Sequence, residues 1–223
     1  MQTPRKTKER QKRALVLIAV LKKRYPKPKS ELTHTTPFQF VVAVMMSAQC
    51  TDKKVNEATD IIFKKYKTPK DFASVKPTTL QKEISTIPFF RNKAKNIVGA
   101  AKLLEKKHSG KIPKTIEELI ELPGVAYKTA NVVLGEVYGV WEGIATDTHV
   151  RRFALRFDLT DNTDLTKISK DLETLIPKKD WKYVNNGFVL YGRYVCPARQ
   201  HDCEEHPLTK KWPPAATRWP KAK

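Results

Sequence analysis

Lys128 follows a sharp turn, Leu122-Pro123-Gly124-Val125-Ala126-Tyr127, and lies in the first turn of the helix that the turn opens. The glycine supplies a backbone angle that other residues avoid. Helix, glycine turn and helix make a helix-hairpin-helix, and the second helix presents free N–H groups and a positive dipole end suited to a phosphate. That positive end also disfavours an ammonium at Lys128, and a neutral amine can attack a sugar carbon and form a Schiff base. Taken alone, a lysine among 43 basic residues is most simply a phosphate contact. Further along the chain stands Ala145-Thr146-Asp147-Thr148-His149-Val150-Arg151-Arg152. Asp147 can cap the helix that follows. As a carboxylate aimed at the same pocket, it would stabilise positive charge on the sugar and assist proton movement.

The partner such chemistry needs is legible in the charge. Forty-three Lys and Arg against 23 acidic residues give a formal net charge of +20. A surface of this kind attracts polyanions and binds them through counterion release, so a nucleic acid is expected. A hydrophobic content of 40% over 223 residues supports a globular chain with a real core and excludes a disordered one. The apolar segment Ala14–Leu21 is too short to span a membrane, is flanked by Lys and Arg, and lacks a small-residue cleavage site. Three cysteines are too few for a disulfide framework. The protein is expected inside the cell, in the cytoplasm and at the nucleoid, as a monomer with no membrane partner.

The elements that must position the two residues are helical. Thr36-Pro37 reads as a cap with proline at the first helical position, ahead of the apolar run Phe38–Met46. Asp52 opens a helix to about Tyr66. Asn92–Lys107 places Ala94, Ile97, Ala101 and Leu104 on one stripe and ends at Ser109-Gly110. Thr115-Ile116-Glu117-Glu118 has capping-box spacing. Thr148–Phe157 and Thr166–Ile176 are further helices. Prolines at 69, 77, 88, 113, 123 and 177 read as breaks between helices. No period-2 alternation is sustained, so no sheet is expected. Residues 206–223, rich in Pro, Trp and Lys, read as an irregular tail.

Leu122–Asn131 followed by Thr146–His149 resembles the endonuclease III family of helix-hairpin-helix, Gly/Pro-Asp DNA glycosylases. Two more segments resemble it in the right order: Ser47-Ala48-Gln49-Cys50-Thr51-Asp52, and Leu190–Cys196, which in the family leads into an iron–sulfur site. The resemblance covers roughly residues 10 to 203. It implies an all-α, two-lobed fold with the active site in the cleft between lobes. The lobes are expected at residues 30–141, carrying the hairpin, and at 1–29 with 142–223. It implies that Lys128 is the nucleophile and Asp147 its essential partner. Members keeping the lysine remove a damaged base and then nick the strand by β-elimination, and their usual substrates in duplex DNA are oxidised pyrimidines. Base flipping leaves a gap in the stack that must be filled. Gln49 matches the family glutamine that enters it, and Phe89 stands where the family carries an apolar wedge, with Phe90 as core. Gly124, Val125 and Ala126 would meet the phosphate. His149 is expected to support the loop or reach DNA. Arg152 is expected at a phosphate or in an ion pair. Asp52 reads as a pocket acid or a helix cap.

The sequence departs from the family twice. Gly-Val-Gly is replaced by Gly124-Val125-Ala126, which leaves the backbone donors in place. In the cluster site, Cys196 and Cys203 keep the family's first spacing, but the third position is His206 and the fourth is Trp212. A four-iron cluster takes four thiolates, so this degenerate site is expected to hold none, and no cofactor is expected. Trp212, Pro213, Pro214 and Trp219 would then pack back on the helical body in its place. Zinc on Cys196, Cys203, His206 and His201 is the alternative. Two other functions stay open: a mismatch uracil/thymine or 8-oxoguanine glycosylase, and a non-catalytic helix-hairpin-helix DNA-binding protein.

Overall fold

A computed structural model describes residues 4–220. Among the described residues the regular structure is helical throughout, with no strand. Among the described residues no helix is long and apolar enough to cross a membrane. The chain divides into two compact units. One, the hairpin unit, is Ser30–Val140. The other, the terminal unit, joins Met1–Lys29 to Trp141–Lys223.

The hairpin unit is built from seven α-helices, α2 Pro37–Ser47, α3 Asp52–Lys65, α4 Pro69–Ser74, α5 Pro77–Glu83, α6 Phe90–His108, α7 Ile116–Ile120 and α8 Tyr127–Val133, the last continued by a π-helical turn at Leu134–Tyr138. Thr36 caps α2 by accepting the Gln39 amide at 3.2 Å, and Pro37 occupies the first turn, where no amide is needed. The helix is predominantly apolar and mostly buried, with Phe40, Val41, Val42 and Met46 at 0% exposure. Around it, α6 contributes Ala94, Ile97, Ala101 and Leu104, and α3 contributes Val55, Ala58 and Ile62. Leu119 and Leu122 on the approach to the hairpin, with Ala130 and Val133 beyond it, tie the hairpin to the same core.

The terminal unit holds α1 Pro4–Arg24, α9 Thr148–Arg156, α10 Leu165–Leu175 and α11 Phe188–Tyr194. Ala14, Leu17, Ile18 and Leu21 form the buried stripe of α1 at helical spacing. They share a core with Phe153, Phe157, Phe188 and Tyr191. Arg10, fully buried, donates to Asp158 and to Asp161, and Arg13 donates to the Asp158 carboxylate and carbonyl. The turn after α9 is thereby bound to α1. Hydrogen bonds from Arg10 and Lys6 hold the Asp161 carboxyl down to about 2.

Two prolines read as breaks prove to be starts. Pro69 and Pro77 occupy the first turns of α4 and α5. Thr68 forms a full capping box with Asp71, whose carboxyl lies below the ordinary range because the Lys67 and Thr68 amides donate to it. Both helices are shorter than two full turns, which leaves too few residues for a periodic stripe. Within residues 206–220 the chain makes two 3₁₀ turns, Thr209–Lys211 and Pro213–Ala216. Leu208 and Ala215 enter the core, with Trp212 and Trp219 packed against it.

Candidate active site

Lys128 is the second residue of α8 and its side chain is exposed. The turn before it depends on Gly124, whose φ is +81°. A Cβ there would stand 2.8 Å from Asn96 Cβ and 2.9 Å from Met45 Cε. Val125 is 5% exposed, and its amide donates to the Leu122 carbonyl at 3.0 Å. Its amide is therefore spent on holding the turn. Ala126 is exposed, with φ −84°. That conformation is open to any residue, which explains why alanine is tolerated where the family commonly has glycine. The α8 amides that follow have no intrahelical acceptor, as at any helix start. Gly124→Ala combines left-handed strain with two collisions, and it is expected to cost about 1–3 kcal/mol in urea denaturation and to weaken duplex binding.

Gln49 and Phe89 are both exposed and both left-handed, with φ 54° and 57°. Phe89 is 62% exposed and precedes α6, whereas Phe90 packs on the core under Arg91. Non-glycine residues rarely hold this conformation without surrounding support. The support here is Lys93. Its backbone N–H donates to the Phe89 carbonyl at 3.1 Å. Its buried ammonium donates to the carbonyls of Met46 at 2.8 Å and Ala48 at 2.6 Å, which lead into the turn carrying Gln49. Burial pushes the Lys93 ammonium below its ordinary range. One residue thus fastens both projecting segments. In the sequence it is one of 43 basic residues. Its signal was position, since residues 93, 97, 101 and 104 share the buried stripe of α6. Lys93→Met strips a buried donor from two carbonyls and is expected to lower urea stability by about 1–3 kcal/mol. On the neighbouring turn, Thr51 caps α3 by accepting the Lys54 amide, so Asp52 is not the cap. It stands at the first helical position, where a carboxylate complements the dipole.

In the terminal unit, Asp147 is the N-cap of α9, with Oδ1 accepting the Val150 amide at 2.8 Å. It is half-buried. The strand of chain leading to it is fixed from two sides. The Ala145 amide donates to Asn185 Oδ1 at 2.8 Å, and the Ile144 amide to Glu173 at 3.2 Å. Ser169 donates to the Ile144 carbonyl at 2.7 Å. His149 packs over the backbone of Gly192, where any Cβ would collide with its ring and with the Arg152 guanidinium. Arg152 is not a surface phosphate contact. It is 8% exposed and donates to the Cys196 carbonyl at 2.7 Å. Burial lowers its affinity for a proton from the usual arginine value. Arg152 and His149 therefore brace the cap on which Asp147 sits.

The residues at the family's cluster positions do not fit a four-iron cluster. That group takes four thiolates. The sequence has three cysteines, and Cys50 belongs to the hairpin unit. Cys196 and Cys203 share one guanidinium, Arg156, which donates to their sulfurs at 2.9 and 3.0 Å. Arg156 is fully buried and stacked 3.9 Å from the Trp219 ring. Trp212 packs on Phe157 with Arg13 4.4 Å from its centroid. The wider expectation of no resident metal finds no such support, because ligand atoms of Cys196, His201 and His206 lie within 4.8 Å of one another.

Residues 42–178 match the HhH-GPD superfamily of base excision DNA repair proteins. Endonuclease III of Synechocystis sp. is 41% identical over 211 residues, covering 95% of this chain and 96% of that one. Endonuclease III of Bacillus subtilis is 42% identical over 185 residues, with 82% and 84% covered. A solved structure of a trapped covalent intermediate between endonuclease III and DNA superposes with a TM-score of 0.83 at 36% identity, covering 94% of this chain and 95% of that one. A thermostable thymine-DNA glycosylase shares the fold at a TM-score of 0.77 and 19% identity. The chain belongs to the HhH-GPD superfamily and, within it, to the endonuclease III family.

Proposed function

We propose that this chain is a bifunctional DNA glycosylase and abasic-site lyase of base excision repair, acting in the cytoplasm at the nucleoid on oxidised pyrimidines in duplex DNA. The observation that carries the reading is an exposed lysine in the first turn of the helix that a left-handed glycine opens, in a chain similar to one trapped covalently on DNA.

Lys128 supplies the nucleophile and Asp147 the carboxylate of the proposed reaction. The neutral Lys128 amine attacks C1′ of the deoxyribose, and the glycosidic bond breaks with its electron pair going to the departing base, which takes up a proton. The C1′–O4′ bond then opens to give an imine between C1′ and Lys128, and O4′ takes the proton that the amine releases. A proton leaves C2′ and the 3′ phosphate leaves with the C3′–O bond pair. Water hydrolyses the imine and frees the lysine. Asp147 stabilises the positive charge on C1′ as it develops. Gln49 and Phe89 fill the vacated place in the stack, for which their left-handed, braced backbones prepare them. No step passes through a four-iron cluster, and we propose that the chain works without one.

The test is base release and strand cleavage on four duplexes, carrying thymine glycol, a G·T mismatch, 8-oxoguanine or an abasic site. Cleavage at thymine glycol and at the abasic site is expected. Release at the mismatch or at 8-oxoguanine alone would overturn the pyrimidine-oxidation reading, and binding without cleavage on all four would overturn the enzyme.

A further inference from the structure

We propose a mononuclear zinc site on Cys196, His201 and His206. Their ligand atoms already lie within 4.8 Å of one another, so small side-chain movements bring them to a common centre. The two imidazoles stand with ring centroids 5.1 Å apart. His201 Nδ1 lies 2.7 Å from the Arg199 carbonyl. A carbonyl only accepts, so Nδ1 carries the proton and Nε2 of the neutral ring presents its lone pair. That Nε2 atom is buried and has no hydrogen-bond partner. The same is true of His206 Nδ1. Two buried, unpartnered ring nitrogens beside a thiol are an arrangement that folding alone penalises and a metal ion satisfies. The carbonyl behind His201 is also the partner that metal-bound histidines commonly use to fix their tautomer.

The donor set chooses the ion. Two imidazoles and one thiolate suit zinc and reject magnesium and calcium, which take oxygen. Binding replaces the Cys196 thiol proton with the metal and releases that proton to solvent. Arg156, 2.9 Å from the same sulfur, donates to the thiolate and offsets its charge. Water completes the tetrahedron. Cys203 stays outside the set, with its thiol directed at the Ala216 carbonyl at 4.0 Å and its sulfur on Arg156. The site fastens both ends of the segment from Cys196 to His206, where the four-thiolate set is incomplete.

The experiment uses the full chain, stripped with a chelator and titrated with Co²⁺ as a spectroscopic probe, followed by displacement with Zn²⁺. The expected result is a tetrahedral cobalt spectrum with a thiolate charge-transfer band that zinc abolishes. Cys196→Ser should lose the band, and His201→Ala and His206→Ala should weaken binding at least about tenfold. Cys50→Ser should bind as the parent does, and the helical circular dichroism of each variant checks its folding. Absence of the band in the parent chain, or its survival in Cys196→Ser, or its loss only in Cys50→Ser, would overturn the site. The parent titration decides the matter even if a variant fails to fold.

Discussion

Lys128→Gln is expected to bind abasic-site duplex nearly as the parent does, yet to form no borohydride-trapped complex and to cleave at a rate lower by about three orders of magnitude or more. The expectation separates two roles for one lysine. As a phosphate contact, Lys128 would be one of 43 basic residues. Its loss would then weaken binding uniformly and reduce the salt slope by about one, with catalysis following occupancy. As the nucleophile, its loss removes the atom that bonds to C1′, and no excess of enzyme restores the complex. Folding does not confuse the comparison. The side chain is exposed in the first turn of α8, and glutamine and lysine have nearly equal helix propensity.

Asp147→Asn is expected to slow base release by about 10²- to 10⁴-fold while leaving urea stability within about 0.5 kcal/mol. Asp147 does two things at once. Its Oδ1 caps α9 by accepting the Val150 amide, and its charge offsets the developing positive charge in the proposed mechanism. Asparagine keeps the first because its side-chain oxygen caps a helix about as well as aspartate does. It removes the second. Asp147→Ala should lose both, adding about 1 kcal/mol of instability to the same catalytic defect. If the asparagine variant retained full activity, the carboxylate would be a cap and nothing more. Single-turnover base release beside denaturant melts reads both quantities.

The parts of the site legible in the sequence were those set by local chemistry. Thr36-Pro37 specifies a helix start through one hydroxyl and one missing amide, and α2 begins there. Gly124 specifies a left-handed turn because few other residues accept it, and its φ is +81°. What escaped depended on contacts between distant segments. Nothing near Lys93 in the chain says that its ammonium will reach the Met46 and Ala48 carbonyls. The sequence leaves Arg152 at a phosphate or in an ion pair, and only the fold reveals that it is buried on the Cys196 carbonyl. The prolines at 69 and 77 carry the same residue type whether they stop a helix or start one. Thr68, with Asp71 three residues later, was the available sign for the first of them. At the C-terminal end, the sequence disclosed the incomplete thiolate set but not Arg156. Its guanidinium bridges the two remaining sulfurs across 40 and 47 positions of chain.

The most direct test of the central claim is to trap the enzyme on abasic-site duplex with borohydride, digest the complex, and locate the deoxyribose adduct by mass spectrometry. The mechanism predicts the adduct on Lys128 alone. An adduct on another lysine or on the terminal amine, with Lys128 unmodified, would contradict it.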